Sequence, residues 1–481
     1  MSKLKRLAGE TALYGLGSIL PRVLNFLLVP LHTINMFGKA EYGQITKLYA
    51  FVGVINIVYM FGMETAFFRF ATKPEADRQR IFNLSQTTVV FISLLLSVIF
   101  ISFSSPIASA LNIEAHPEFI IWLALTMFVD ALVAIPFARL RLEKKALIFA
   151  VAKIFNVSVL IGLNYYFLKI NFDPSIGIGY VFLANLIANS FFIIFFFKTI
   201  ITWRPAWDKD ISPQMLHYAY PVMITGVAGM INEMFSRSML DWWLPENFYA
   251  GTTREEAGGI FGACYKFAVF MNLGIQAFRY AAEPFFFSNA TDKNSPALFA
   301  KVNHYFVIVC CVVLLGISIN MDFIKLFFIG EEYWVGLGIV PVLLLAYLFL
   351  GVYYNMSVWF KLTNKTHYGT IITLIGVCIT VAGNFILIPV AGYMGSSIAA
   401  FLCYFTMAVV CYIIGQRFYP IPYSIVKDLS YIIITYCIML AASSINIDNR
   451  WVNLGFDLVV VIIFCGVIFL IERKSLTQPV A

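Results

Sequence analysis

Apolar runs of about 20 residues recur along nearly the whole chain, and no other feature limits the fold as strongly. As a helix, a run of that length matches a hydrocarbon core roughly 30 Å thick. Backbone groups in lipid must be satisfied from within the chain, which leaves helices or closed barrels. Barrel strands alternate apolar and polar residues, whereas these runs are continuous. Composition agrees: 60% of the 481 residues are hydrophobic and 12% are charged, against about a quarter charged in a soluble domain. The predicted fold class is an all-α polytopic membrane protein.

About 14 spans are predicted by length. They fall near 11–34, 44–69, 84–105, 117–138, 147–168, 176–197, 216–240, 258–287, 302–320, 337–359, 369–389, 393–415, 429–446 and 452–471. The first is too long for a cleaved signal peptide and is expected to be a retained helix. With the N-terminus inside, 21 of the 33 Lys and Arg fall in cytosolic segments, for example Arg139, Arg141, Lys144 and Lys145. Five fall outside: Lys39, Lys169, Arg254, Lys325 and Arg450. That bias sets the orientation and puts both termini in the cytosol. It also explains the formal charge of +7 without nucleic acid, because the basic residues are spread over short loops. The eight cysteines all lie in apolar runs without metal-ligand spacing, so no metal site is expected.

The chain repeats itself. At an offset of 219, Gly43, Lys47, Phe51, Glu64, Phe67 and Phe68 fall on Gly262, Lys266, Phe270, Glu283, Phe286 and Phe287. At an offset of 220, Leu142, Lys145 and Asn164 fall on Leu362, Lys365 and Asn384. The repeat holds six spans, an even number, so the halves share one orientation and are related by an axis along the membrane normal. Two lobes are expected, 1–210 with spans 1–6 and 211–418 with spans 7–12. Residues 419–481 supply an appended pair of spans and a short tail.

Several segments carry a family resemblance: EYGQ after span 1, FGMETAFFRF closing span 2, and the stretch from KLTNKTHYG to NFILIPVAGYMGSSIAAF. LYGLGSILPRVLNFLLVPL is similar to the same family's first helix. Together they resemble the polysaccharide-exporting flippases of the multidrug/oligosaccharidyl-lipid/polysaccharide (MOP) superfamily. The resemblance implies two six-helix lobes around a central cavity in the cell membrane. It implies a lipid-linked glycan as substrate, carried on undecaprenyl pyrophosphate, with membrane lipids and polysaccharide polymerases or glycosyltransferases as partners. The appended pair resembles the 14-span lipid II flippases, which also carry cavity cations on helices 1, 2 and 8.

A charge deep in a span is costly and calls for a reason. Arg22, Lys47 and Lys266 have no acid at helical spacing on their own helices. They face another helix, water or a bound anion, and a pyrophosphate suits them. Snorkelling to the interface is open for all three and strongest for Lys47 and Lys266. Pro21 beside Arg22 is the expected point of helix distortion. Arg279 has Glu283 four residues on, and Arg237 has Glu233 and Asp241 four residues either side. These read equally as structural pairs or as gates, with Arg279 also a candidate cavity cation. Asp130 and Glu64 are candidates for H⁺ or Na⁺ coupling, or hydrogen-bonded structural acids. Lys153, near a cytosolic end, is expected to snorkel.

The chain has no phosphate-binding GxxxxGKS/T loop. It also lacks the large external platform that a membrane glycosyltransferase or polymerase needs, so a transporter is expected rather than an enzyme. Within transporters, the alternative is a drug/cation antiporter of the same superfamily.

Overall fold

The computed structural model describes residues 17, 19–73, 76–288, 294–363, 365–445, 447 and 449–477, and these are helical with no strand among them. We label the helices α1 (Ile19–Asn35), α2 (Lys39–Ala71), α3 (Arg78–Ser102), α4 (Pro117–Leu142), α5 (Ala146–Ile170), α6 (Gly179–Phe195) and α7 (Ile211–Met234). Then follow α8 (Arg254–Ser288), α9 (Ser295–Ile319), α10 (Glu331–Leu362), α11 (367–391), α12 (393–418), α13 (Ile425–Ser443) and α14 (Arg450–Thr477).

By length and composition, ten of the described helices can cross a membrane, short of the predicted 14. Three physical reasons account for the difference. Helices α1 and α6 are apolar but shorter. Helix α7 is diluted by His217, Asn232 and Glu233. Helices α11 and α12 run on as one 52-residue stretch, interrupted only by Gly392 at φ 56°. That stretch is a hairpin. Ser396 donates to Asn384 at 2.7 Å, and a Cβ at Gly383 would lie 3.0 Å from that of Ala399. In a straight helix, residues 16 apart would be about 24 Å apart.

The chain forms two compact units. One holds Gln44–Ser238 with the described residues up to His32; the other holds Thr33–Gly43 and the chain from Met239. In the first unit α4 is central. Met127, Ala131 and Ile135 pack with Tyr59, Met63 and Phe67 of α2, Phe82 of α3 and Ala219 of α7. Its other face sets Val133 and Phe137 against Phe149, Phe192 and Phe196. Helix α1 runs parallel to α5. A Cβ on Gly17 would meet the Ala150 backbone, and His32 Nε2 lies 3.1 Å from Asn164 Oδ1.

Two spans of this unit are broken. In α1 the bonds tighten to three-residue spacing, with the amides of Phe26, Leu27 and Val29 donating to Val23, Leu24 and Phe26. Pro30 explains this. It has no N–H to offer the Phe26 carbonyl, so Val29 takes its place. This distortion sits one turn beyond Arg22; the turn before Pro21 lies in part outside the described residues. In α2, Phe61 and Gly62 both have positive φ, 49° and 68°. A Cβ at Gly62 would lie 2.6 Å from the Ala219 carbonyl, so close packing on α7 also demands glycine there.

In the second unit α10 packs on α8, α9 and the α11–α12 hairpin. Helices α13 and α14 dock on α9. The outer face of α14, with Trp451, Ile462, Ile463 and Phe469 exposed, is suited to lipid. The internal repeat leaves local marks. Asn164 bonds the Leu160 carbonyl and Asn384 the Thr380 carbonyl, at 2.9 and 2.7 Å. The amides of Lys145 and Lys365 each bond the carbonyl five residues back.

Candidate functional site

The ionisable residues of the first unit gather around Lys153. Going up α1 and α5 from the Gly17–Ala150 contact, Arg22 lies five residues on and Lys153 three, about 7 and 5 Å along their helices. The charges of Asp130, Glu64, Arg141 and Arg22 all reach Lys153. Three cations thus face two carboxylates. Glu64 is paired with Arg141, whose guanidinium also lies over the Phe68 ring at 5.0 Å. Arg22 is exposed on its helix, and it forms no ion pair among the described residues.

Lys153 lies between two aromatic rings. Its Nζ sits 4.3 Å from the Phe137 ring centroid and 4.9 Å from that of Phe192. Aromatic faces supply partial negative charge and shield the cation from lipid. Beside it runs a polar seam. Asn189 donates to Asp130 at 2.8 Å and accepts from Asn156 at 2.9 Å. Asn185, one turn from Asn189, donates to the Tyr49 hydroxyl at 3.1 Å. Helix spacing explains the grouping: Lys153 and Asn156 share one face of α5, and Asn185 and Asn189 share one face of α6.

A charged rim lies at the ends of α3 and α4 that the charge bias assigns to the cytosol. Asp77 caps α3 by accepting from the Gln79 and Arg80 amides. Arg80 pairs with Asp208. Glu143 pairs with Arg139 at 2.7 Å and with Lys145 at 2.6 Å. Partial burial raises the Glu143 carboxyl, but the bonds from Lys145 and Arg139 outweigh it and hold it below its ordinary value. The amides of Ile211 and Asp210 do the same for Asp208. Both carboxylates therefore stay charged and keep the rim tied.

The structure distributes the other predicted residues more widely. Lys47 is buried in α2 and Arg237 is buried just after α7, while Glu233 is half-buried on α7. Lys266 and Arg279 belong to the second unit and are half-buried on α8. The Arg279 guanidinium stacks on the Tyr354 ring at 3.8 Å, and with Asn355 and Lys361 it lines a small pocket. The Glu283 side chain lies outside the described residues. Sequence reading singled out Arg22, Asp130 and Glu64 but missed the role of Lys153 and the asparagine seam. A lysine three residues before an asparagine in an apolar run was the available signal.

Residues 36–242, which contain α2 to α7, match a family model described as polysaccharide biosynthesis protein. Among solved structures, the lipid II flippase MurJ in an inward-closed conformation aligns with 97% of this chain and 100% of its own, with a TM-score of 0.71 and 14% identity. The chain therefore shares its fold with that structure. An inward-facing multidrug resistance MATE family transporter of the MOP superfamily gives a TM-score of 0.64 at 16% identity, covering 85% of this chain and 94% of its own. An outward-facing conformation of such a MATE transporter gives 0.57 at 14%, covering 85% and 93%. No curated protein sequence matches the chain. By its apolar helices the protein is a multi-pass membrane protein, its fold is similar to those of MurJ and the MATE transporters, and residues 36–242 match the polysaccharide-biosynthesis model.

Proposed function

We propose that the chain flips a lipid-linked saccharide from the cytosolic to the outer leaflet of the cell membrane by alternating access. The substrate class is an undecaprenyl-pyrophosphate-linked oligosaccharide destined for cell-surface polysaccharide. The supporting observation is the surplus of cations around Lys153, with Arg22 exposed on α1 and its planar fork uncommitted to a carboxylate among the described residues. A guanidinium matches phosphate oxygens in pairs. The six-helix repeat supports two lobes, 1–210 and 211–418, that move against each other, with 419–481 appended. The loop charges support cytosolic termini. H⁺ or Na⁺ binding at Asp130 is the coupling step. Glu64 serves it less well, because Arg141 already holds that carboxylate.

A second reading, a drug/cation antiporter, draws on the likeness to MATE transporters and on Asp130 in its polar seam. Ligand-dependent stability separates the two. Undecaprenyl pyrophosphate at a hundredfold excess over its Kd is expected to stabilise the purified protein by about 2.7 kcal/mol, and undecaprenol much less. An equal response to both lipids would remove the headgroup site. Stabilisation by a cationic dye alone would favour the antiporter.

A further inference from the structure

A second ionisable cluster lies in the other unit. His304 on α9 is buried between two carboxylates carried by the appended helices. Its Nδ1 lies 2.5 Å from Asp428 Oδ1 on α13, and its Nε2 lies 3.3 Å from Glu472 Oε1 on α14. The three side chains are 8%, 8% and 2% exposed. Asn303 donates to the other Asp428 oxygen at 3.3 Å. Tyr431 donates to Glu472 at 2.6 Å, and the half-exposed Lys427 pairs with it at 2.7 Å. Two further cations stand near in the chain, Lys301 three residues before His304 on α9 and Arg473 next to Glu472 on α14, and both make contacts of their own. Of the other titratable groups on α9, Cys311 senses Asp428 and Tyr305 is sensed by Tyr431. Helix α10 presents the neutral Asn355. Helix α8 packs Ala282 and Phe286 on Phe299 and Ala300.

The arrangement is incomplete without one proton. A neutral imidazole has one N–H and one bare nitrogen, whereas an imidazolium donates from both. Here Nδ1 is hydrogen-bonded to Asp428, while Nε2, 3.3 Å from the Glu472 carboxylate, is buried and makes no hydrogen bond. With a neutral ring, one bare nitrogen faces a carboxylate oxygen, and the cluster of Asp428, Glu472 and Lys427 is left with one surplus negative charge. With an imidazolium the four groups balance. A water-poor site does not hold an uncompensated carboxylate cheaply.

We propose that His304, Asp428 and Glu472 form a proton-binding site whose occupancy fastens the C-terminal helix pair, α13 and α14, to α9. Its ligand is a single proton. Binding makes the Asp428 contact a charge-assisted hydrogen bond and sets a positive charge beside Glu472, and release loosens the pair at the end of the helices that the charge bias assigns to the cytosol. The site stands whether or not the chain carries a glycan, because it rests only on the second unit.

Hydrogen–deuterium exchange on the full-length protein in nanodiscs tests it. After correction for the intrinsic pH dependence of exchange, amides of 425–477 are expected to exchange about tenfold faster once His304 has lost its proton, the equivalent of one charge-assisted hydrogen bond. In His304→Gln, which cannot be protonated, they should exchange fast at every pH, while α4 remains protected. The same pH response in His304→Gln as in the wild type would overturn the site. So would a loss of α4 protection equal to that of α13 and α14, which would mark general unfolding. A wild-type measurement gives an independent check. With histidines selectively labelled with ¹⁵N, the ring signal of His304 and the exchange of 425–477 should change with one midpoint. Different midpoints would also overturn the proposal.

Discussion

Arg22→Ala is expected to reduce export of lipid-linked saccharide by at least about a hundredfold, since two charge-assisted hydrogen bonds are lost at about 1.5–3 kcal/mol each. Protein abundance in the membrane should be unchanged. An arginine deep in a span costs about 2.5–3.5 kcal/mol to insert, so alanine removes a burden from the folded helix. It also leaves no carboxylate stranded, because Glu64 keeps Arg141 and Asp130 keeps Asn189. Arg22→Lys retains the charge but not the planar fork, and should keep part of the activity. Export in cells, normalised to membrane protein level, reads both variants. Full export by Arg22→Ala at normal abundance would remove Arg22 from the substrate site. Lost export with lost protein would make it structural.

Asp130 gives the second large effect, and two substitutions separate its roles. Asp130→Asn keeps an oxygen to accept from Asn189, so folding should be preserved while the charge beside Lys153 is gone. Export driven by an ion gradient is expected to fall at least tenfold, and the remaining export should no longer respond to the gradient. Asp130→Leu also strands the buried Asn189 donor and should cost about 1–3 kcal/mol of stability. Thermal unfolding of both proteins alongside gradient-dependent export makes the distinction. If Asp130→Asn exports as the wild type does, with the same gradient dependence, Asp130 is a structural acid and coupling lies elsewhere.

The spans were legible in the sequence because lipid imposes a length and a hydropathy that tertiary context cannot override. The repeat read from the sequence has a local counterpart, since Asn164 and Asn384 each bond the carbonyl four residues back. The break at Pro30 was not anticipated. Pro21 stands beside the charge that drew attention, but Pro30 is the residue whose missing N–H falls where the helix already has a partner to lose. The sites were only half visible. Helical spacing compares a residue with its own helix, so Asp130 looked isolated although Lys153 comes to it from α5. His304 went unnoticed for the same reason. Its partners lie 124 and 168 positions along the chain on two separate helices, with no periodicity to link them.

The central claim is that the moving cargo is a saccharide on a pyrophosphate lipid. Reconstitution tests it most directly. The purified protein is placed in vesicles with a fluorescent undecaprenyl-pyrophosphate oligosaccharide in the leaflet facing the N-terminus, and arrival in the opposite leaflet is read with an enzyme that acts only there. Flipping is expected to need the protein, to be lost in Arg22→Ala, and not to extend to a saccharide on a neutral lipid. Movement of a cationic dye by the same vesicles, with the lipid-linked saccharide left where it started, would contradict it.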